Sequence, residues 1–319
     1  MRVVVTGGAG FIGSWTVEEL VRAGHEVVVL DDLSTGDVGN LASVINEVEL
    51  VRCDVTNISA VSDVFGEVRP DAVIHLAAVV GVDEVAEDPV RGFGINAVGT
   101  LNVLEASRRH GVGRFVYASS AAVYGDPVTL PISEEHPLRP KNVYGASKLS
   151  GEALALGYGG NYGLSVAVLR YFNAYGPRMR PGPYAGVVRK FVEAVLAGEP
   201  ITIFGDGEQT RDFVYVRDVA RANLAALESG AEGVFNIGTG KPTKITDLAE
   251  EVMRAVGRSV PIRHAPPRPG DIRHSYADIS RAREVLGWEP RTGLDEGLKE
   301  LIEWMRGLLK RRDHEVRTG

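Results

Sequence analysis

Apolar residues fall in short β-rich runs at 3–5, 27–30, 48–51, 72–76, 115–117 and 166–169, separated by longer amphipathic stretches at 12–23, 58–65, 89–110 and 144–162. The runs have no polar face, so each predicts a strand covered by helices on both sides, as in a parallel doubly wound α/β sheet built from βαβ units. Each amphipathic stretch is long enough for a right-handed crossover. The alternation breaks near Gly176, where Pro177, Pro181 and Pro183 precede a predicted helix at 187–196. Further runs at 201–204, 213–216 and 234–237, a proline-rich stretch at 261–269 and a last helix at 294–309 complete the pattern. The expected division is a first domain over 1–172 and a smaller C-terminal α/β domain over 173–319. The strand-like segments within 213–238 are candidates to rejoin the first sheet.

Composition narrows the function. The chain has 319 residues, 44% hydrophobic and 24% charged, and a net charge of -7. That charge supplies no field drawing the protein to nucleic acid or anionic lipid. Cys53 is the single cysteine and has no intrachain disulfide partner, which fits a reducing compartment. The start resembles a signal peptide, but four glycines within 7–13 and no cleavage site before Glu18-Glu19 favour a first strand and loop. The longest apolar candidate, 72–82, is too short to span a bilayer and contains His75. The expected setting is cytoplasmic, without membrane or nucleic-acid partners. Lys310, Arg311 and Arg312 form a basic tail, read as cations at a helix C-terminus. The seven histidines, His25, His75, His110, His136, His264, His274 and His314, lack metal-ligand spacing, so no catalytic metal is expected. His75, inside an apolar strand, reads as a satisfied core histidine.

Gly7-Gly8-Ala9-Gly10-Phe11-Ile12-Gly13 follows the first strand and opens the first helix. Glycines there permit a tight turn and close backbone approach, and the helix N-terminus favours a pyrophosphate. Asp31 ends the second strand 18 residues after Gly13, where a carboxylate accepts from ribose hydroxyls. Asp32 and Leu33 follow, with no cation nearby for a 2′-phosphate. Together these features predict a Rossmann-type fold that binds NAD rather than NADP.

Tyr144 and Lys148 are spaced i and i+4, sharing a helix face. An adjacent ammonium and a cationic nicotinamide would lower the phenol's pKa and let it exchange a proton with an alcohol. The spacing alone is a weak pattern. Ser119-Ser120 ends the fifth strand, and open α/β sheets place ligands at such ends. A capping serine is the competing reading of Ser120.

At this point the chain resembles the extended short-chain dehydrogenases/reductases, and within them the nucleotide-sugar epimerases. The resemblance rests on Thr6-Gly7-Gly8-Ala9-Gly10-Phe11-Ile12-Gly13, Asp54-Val55, His75-Leu76-Ala77-Ala78, Asn96, the segment 119–125, Tyr144-Gly145-Ala146-Ser147-Lys148 and Tyr171-Phe172-Asn173. It implies Ser120, Tyr144 and Lys148 as catalytic residues. It also implies a cofactor site of Gly7, Gly10, Phe11, Ile12, Gly13, Asp31, Asp32, Ser34, Thr35, Gly36, Asp54, Val55, Leu76, Ala77, Ala78, Asn96, Tyr144, Lys148 and Tyr171. Asn173, Arg211 and Arg268 would hold the diphosphate of a UDP-hexose, and Val188 and Phe204 would pack the base. Planar guanidinium forks suit phosphate oxygens; structural salt bridges are the competing reading.

The implied reaction is 4-epimerisation, interconverting UDP-glucose and UDP-galactose through a transient 4-keto sugar while bound NAD takes and returns the hydride. Dehydratases and decarboxylases on this scaffold carry an acidic residue one or two positions after the catalytic hydroxyl. Here those positions are Ala121 and Ala122. A non-catalytic NAD-binding sensor would not be expected to carry Ser120, Tyr144 and Lys148 together. The continuation Ala174-Tyr175-Gly176-Pro177-Arg178 also resembles enzymes for UDP-N-acetylhexosamines and UDP-uronic acids, which stay open as substrates. The resemblance further implies a homodimer joined through the helices at 89–110 and 144–162.

Overall fold

The computed structural model describes residues 1–268 and 270–318, with side chains as far as Lys310. Pro269 and the side chains of Arg311, Arg312 and His314 lie outside the described residues, as do the readings made on them.

The first half alternates as expected: β1 (Arg2–Thr6), α1 (Phe11–Arg22), β2 (Glu26–Asp31), β3 (Val48–Arg52), α2 (Ile58–Val68) and β4 (Ala72–His75). Short helices α3 (Val82–Glu87) and α4 (Pro89–Phe93) lead into α5 (Thr100–Arg109), followed by β5 (Arg114–Ser120), α6 (Val143–Tyr162) and β6 (Ser165–Tyr171). The second half contains β7 (Asn173–Tyr175), α7 (Val187–Ala197), β8 (Ile201–Phe204), β9 (Thr210–Arg211), β10 (Phe213–Tyr215), α8 (Val216–Ser229) and β11 (Gly233–Ile237). It ends with β12 (Thr243–Lys244), α9 (Ile245–Val256), β13 (Ile262–Ala265), α10 (Ser280–Leu286) and α11 (Leu294–Thr318).

Seven parallel strands form the central sheet in the order β11-β6-β5-β4-β1-β2-β3. Alternate residues serve opposite faces. Val3, Val5, Val27 and Val29 pack under α1, α8 and α10, while Val4, Val28, Leu30 and Val73 pack under α2, α5 and α6. Two covered faces explain why the strands read as unbroken apolar runs. The order reverses between β1 and β4, so their C-terminal ends open a crevice where α/β sheets bind ligands. A second core joins α7, α9 and α11 to β8 and β10, and Trp15 of α1 reaches into it.

Three expectations change. The helix expected at 89–110 is broken into α4, a π-helical turn at Gly94–Gly99, and α5. Gly99 lies so close to Val55 that a Cβ there would sit 2.7 Å from a Val55 methyl; the widened turn accommodates that approach. The segment at 213–216 does not rejoin the central sheet. Its strand β10 pairs with β7, while β11 occupies the free edge of β6. The helices α8, α9 and α10 had no counterpart in the sequence analysis, and α8 is the connection that returns the chain to the sheet.

Asp212 ties this second half together. Fully buried, it accepts from the Thr239 amide (2.7 Å) and hydroxyl (2.6 Å) and from the amides of Gly240 (2.9 Å) and Ala277 (3.1 Å). Asp212→Ala strands several buried donors, and a loss of about 3 kcal/mol is expected. Urea unfolding measures it; a loss below about 1 kcal/mol would refute this account of the segment.

Candidate active site

The turn after β1 is fixed by backbone crowding. Gly7 takes φ +68°, and a Cβ on it would lie 2.8 Å from the Ala77 amide nitrogen at the end of β4. A Cβ on Gly13 would lie 2.0 Å from the Gly7 carbonyl oxygen. With no side chain between them, the loop folds onto the start of α1. Gly10 caps that helix without a side-chain hydrogen bond, leaving its first amides free to meet an anion.

Asp31 braces the loop from the side. Its Oδ2 accepts from the Ala9 amide and its Oδ1 from the Leu33 amide, both at 2.9 Å. Burial raises its pKa above the usual carboxylate range, against the pull of those two amides. Asp32 accepts from the Ser34 amide (2.9 Å) and hydroxyl (2.7 Å), shaping the turn that presents Ser34 and Thr35. Asp54 does the same for Thr56, at 2.8 Å to both amide and hydroxyl. Asn102 holds the Val55 and Thr56 carbonyls at 3.0 Å each.

His75 is a satisfied core histidine, as expected: Nδ1 lies 2.7 Å from the Thr6 hydroxyl and Nε2 3.0 Å from that of Thr100. Burial, with the nearby Lys148, pushes its pKa down to about 3. It is therefore neutral at physiological pH.

Asn142 caps α6 by accepting from the Gly145 amide at 2.8 Å, which sets Tyr144 in the first turn and Lys148 one turn on. Ser120 both caps and faces the cleft: its Oγ accepts from the Ala122 amide at 3.2 Å and lies beside the Tyr144 phenol. Lys148 is 4% exposed. Its Nζ sits 4.8 Å from the Tyr117 ring centroid, without an ion-pair partner among the described residues. Burial lowers its pKa to about 7, with Glu152 opposing. Burial also raises the Tyr144 pKa, partly offset by Ser120. Desolvation thus pushes both groups toward their neutral forms.

One cavity of about 2450 Å³ gathers these pieces, well beyond the size needed for a single drug-sized ligand. Its wall includes Gly7, Gly10, Phe11, Ile12, Gly13, Asp31, Asp32, Ser34, Thr35, Asp54, Val55, Leu76, Ala77 and Ala78. Ser120, Tyr144, Lys148 and Tyr171 line it as well, and so do Asn173, Val188, Phe204, Arg211 and Arg268 from the second half of the chain. Two expected cofactor residues are elsewhere. Gly36 packs behind Asp31, where a Cβ would meet the carboxylate at 2.9 Å. Asn96 is a buried clamp, accepting from the Val79 amide at 2.8 Å and donating to the Val79 carbonyl (3.0 Å) and Ser147 hydroxyl (2.9 Å). It steadies the wall without lining it.

Arg211 and Arg268 each lie beside an acid that the sequence does not single out. Arg211 pairs with Asp271. Arg268 stacks 4.1 Å from the Phe204 centroid and lies 3.6 Å from Asp83 of α3, across the cleft. Lys190 also lines the cavity; burial, then Arg268, lowers its pKa against Asp83. Nothing in local sequence signals these pairings, because the partners come from distant segments.

Residues 3–238 match the family described as the NAD dependent epimerase/dehydratase family. This chain belongs to that family. A UDP-glucose 4-epimerase of Mycolicibacterium smegmatis is 42% identical over 310 residues, covering 96% of this chain and 99% of that protein. Among solved structures, the UDP-glucose 4-epimerase of Thermotoga maritima with UDP-glucose is similar at a TM-score of 0.93 and 42% identity, covering 97% of this chain and 100% of the other. That of Thermus thermophilus, in complex with NAD, gives 0.90 and 43%, covering 96% and 99%. The expected family, its enzymatic character and NAD as its cofactor hold. Among the described residues, no cluster of three His, Cys, Asp or Glu side chains could hold a metal ion, and no helix is long and apolar enough to cross a membrane.

The glycine turn fits NAD, because a helix N-terminus with free amides and no side chains in the way would suit a diphosphate. Gly13→Ala drives a methyl into the Gly7 carbonyl and should weaken NAD binding more than tenfold, a cost above about 1.4 kcal/mol. Titration with NAD followed by calorimetry measures it; wild-type affinity would show that the turn is not the diphosphate cradle.

Proposed function

We propose that this protein is an NAD-dependent nucleotide-sugar 4-epimerase acting on UDP-hexoses, with UDP-glucose and UDP-galactose as the leading pair. The observation that carries the reading is one cavity whose wall takes in the glycine loop, Ser120, Tyr144 and Lys148, and Arg211 and Arg268 together. Ala121 and Ala122, beside Ser120 on the same wall, bring no carboxyl for eliminating water, which favours epimerisation over dehydration or decarboxylation.

Bound NAD supplies a reversible hydride acceptor for the sugar's C4. Tyr144 takes the proton of the 4-hydroxyl and later returns it, and Ser120 hydrogen-bonds the same oxygen. Lys148 would hold the nicotinamide ribose, and its ammonium with the cationic ring would offset the desolvation that keeps the phenol protonated. Asn173, Arg211 and Arg268 anchor the diphosphate, with Val188 and Phe204 against the base. Binding energy placed away from the sugar leaves the ring free to turn and present its other face. Arg211 and Arg268 then exchange carboxylate partners for phosphate oxygens.

The same reading takes the protein as a cytoplasmic homodimer. Val90 on α4, Val98 in the π-helical turn, Leu101 on α5, and Leu156 and Tyr162 on α6 are exposed apolar side chains on helices that pack side by side. Two copies of this surface would form a four-helix contact.

Purified protein given UDP-galactose should yield UDP-glucose without net reduced cofactor. NAD-replete protein that yields none overturns the galactose reading, and UDP-N-acetylgalactosamine and UDP-glucuronate in the same assay then decide the sugar. Tyr144→Phe should lower turnover by about 10²–10⁴-fold with NAD affinity unchanged; retained turnover would remove Tyr144 from the chemistry. Light scattering should give twice the 34.3 kDa chain mass, falling to one chain in Val98→Glu/Leu101→Glu. A monomeric wild type rejects the dimer.

A further inference from the structure

Glu152 continues the face of α6 that carries Tyr144 and Lys148, one turn beyond the lysine. It is 1% exposed. Its Oε2 accepts from the Ser119 hydroxyl at 2.7 Å and from Arg170 Nε at 3.1 Å, and its Oε1 takes a second guanidinium nitrogen of Arg170. Ser119 immediately precedes Ser120 on β5, and Arg170 immediately precedes Tyr171 on β6. One carboxylate therefore ties together the helix and the two strand ends that present the reacting groups. Arg170 is itself fixed from behind, donating to the Tyr124 hydroxyl (2.9 Å) and the Glu134 carbonyl (3.0 Å). A buried ion pair is a poor source of stability compared with apolar packing, so its place directly behind the site is the feature that needs an explanation.

We infer that Glu152 is a positioning residue for the site: it sets a carboxylate one helical turn from Lys148 and, through Ser119 and Arg170, holds Ser120 and Tyr171 in register with it. This rests on the reading of Ser120, Tyr144 and Lys148 as the reacting groups. Lys148 is desolvated, and among the groups packed around it Glu152 is the one that favours its charged form. The others are Tyr144 on its own helix, neutral His75 on β4, Tyr117 on β5, and Arg170 on β6, whose charge Glu152 already neutralises. On α3 and α4, Glu84 is occupied with Arg91, and on α5 Glu105 with Arg108 and Arg109.

The sign follows. Without the Glu152 charge the protonated lysine loses its support, so Lys148 titrates at lower pH. Competitive acetylation of NAD-free protein across pH, read at Lys148 by mass spectrometry, measures that midpoint without turnover. Glu152→Gln should lower it by about one pH unit, and Glu152→Asp should restore it. Because Glu152→Gln leaves the Arg170 guanidinium buried without its counter-charge, Glu152→Gln/Arg170→Gln is measured beside it; it removes a paired charge of each sign and should show a smaller displacement in the same direction. In turnover the kcat profile should move to lower pH, whereas a merely structural role would reduce kcat at every pH without moving the profile. An unchanged Lys148 midpoint in a folded Gln variant, or a Glu152→Asp midpoint as low as that of Gln, overturns the inference. If the wild type turns over no UDP-hexose, the functional reading fails, and the acetylation midpoint still decides the role of Glu152.

Discussion

Everything in this site depends on how closely the backbone of the first turn can approach the sheet. Gly7 lies against the Ala77 backbone and Gly13 against the Gly7 carbonyl, with no room for a Cβ at either contact. That approach aims the N-terminus of α1 at the crevice between β1 and β4, where the strand order reverses. Asp31, bonded to the Ala9 amide, holds the far side of the turn. The candidate cofactor turn is thus shaped by backbone approach, with Asp31 beside it keeping that backbone in place.

The chemistry sits where water is scarce. Desolvation raises the Tyr144 pKa and brings that of Lys148 down to about 7, so the phenol is held protonated while the lysine is poised between its two forms near neutral pH. A bound cation beside the phenol changes that balance, coupling proton transfer to occupancy of the cleft. Elsewhere on the cavity wall the cations are already charged and paired, Arg211 with Asp271 and Arg268 near Asp83. On the proposed function, diphosphate binding there would be an exchange of anions, with a smaller net gain than two free guanidiniums would give.

The first half was legible because its signals are local. Apolar runs with no polar face meant strands covered on both sides, and the glycine loop, Asp31, Ser120 and the Tyr144–Lys148 spacing each sit where a strand ends or a helix begins. The second half was less so. The helices α8, α9 and α10 went unassigned, and the run at 213–216 gave no hint that it pairs with β7 and not with the central sheet. Asn96 and Gly36 show the limit at single residues: a position near a ligand in the chain can carry a side chain that braces the wall instead of lining it.

Sequence alone determined the parallel doubly wound sheet, the glycine turn and the candidate side chains around it, because these follow from period, spacing and the steric demands of glycine over a few neighbouring residues. Only the tertiary structure decided what surrounds them. It set the Glu152–Arg170 pair behind the site, the acids that hold Arg211 and Arg268, the broken helix before α5 and the return of β11 to the sheet. Those depend on burial and on contacts between segments far apart in the chain, and charge states in a desolvated cleft are fixed by whichever groups the fold brings within a few ångströms.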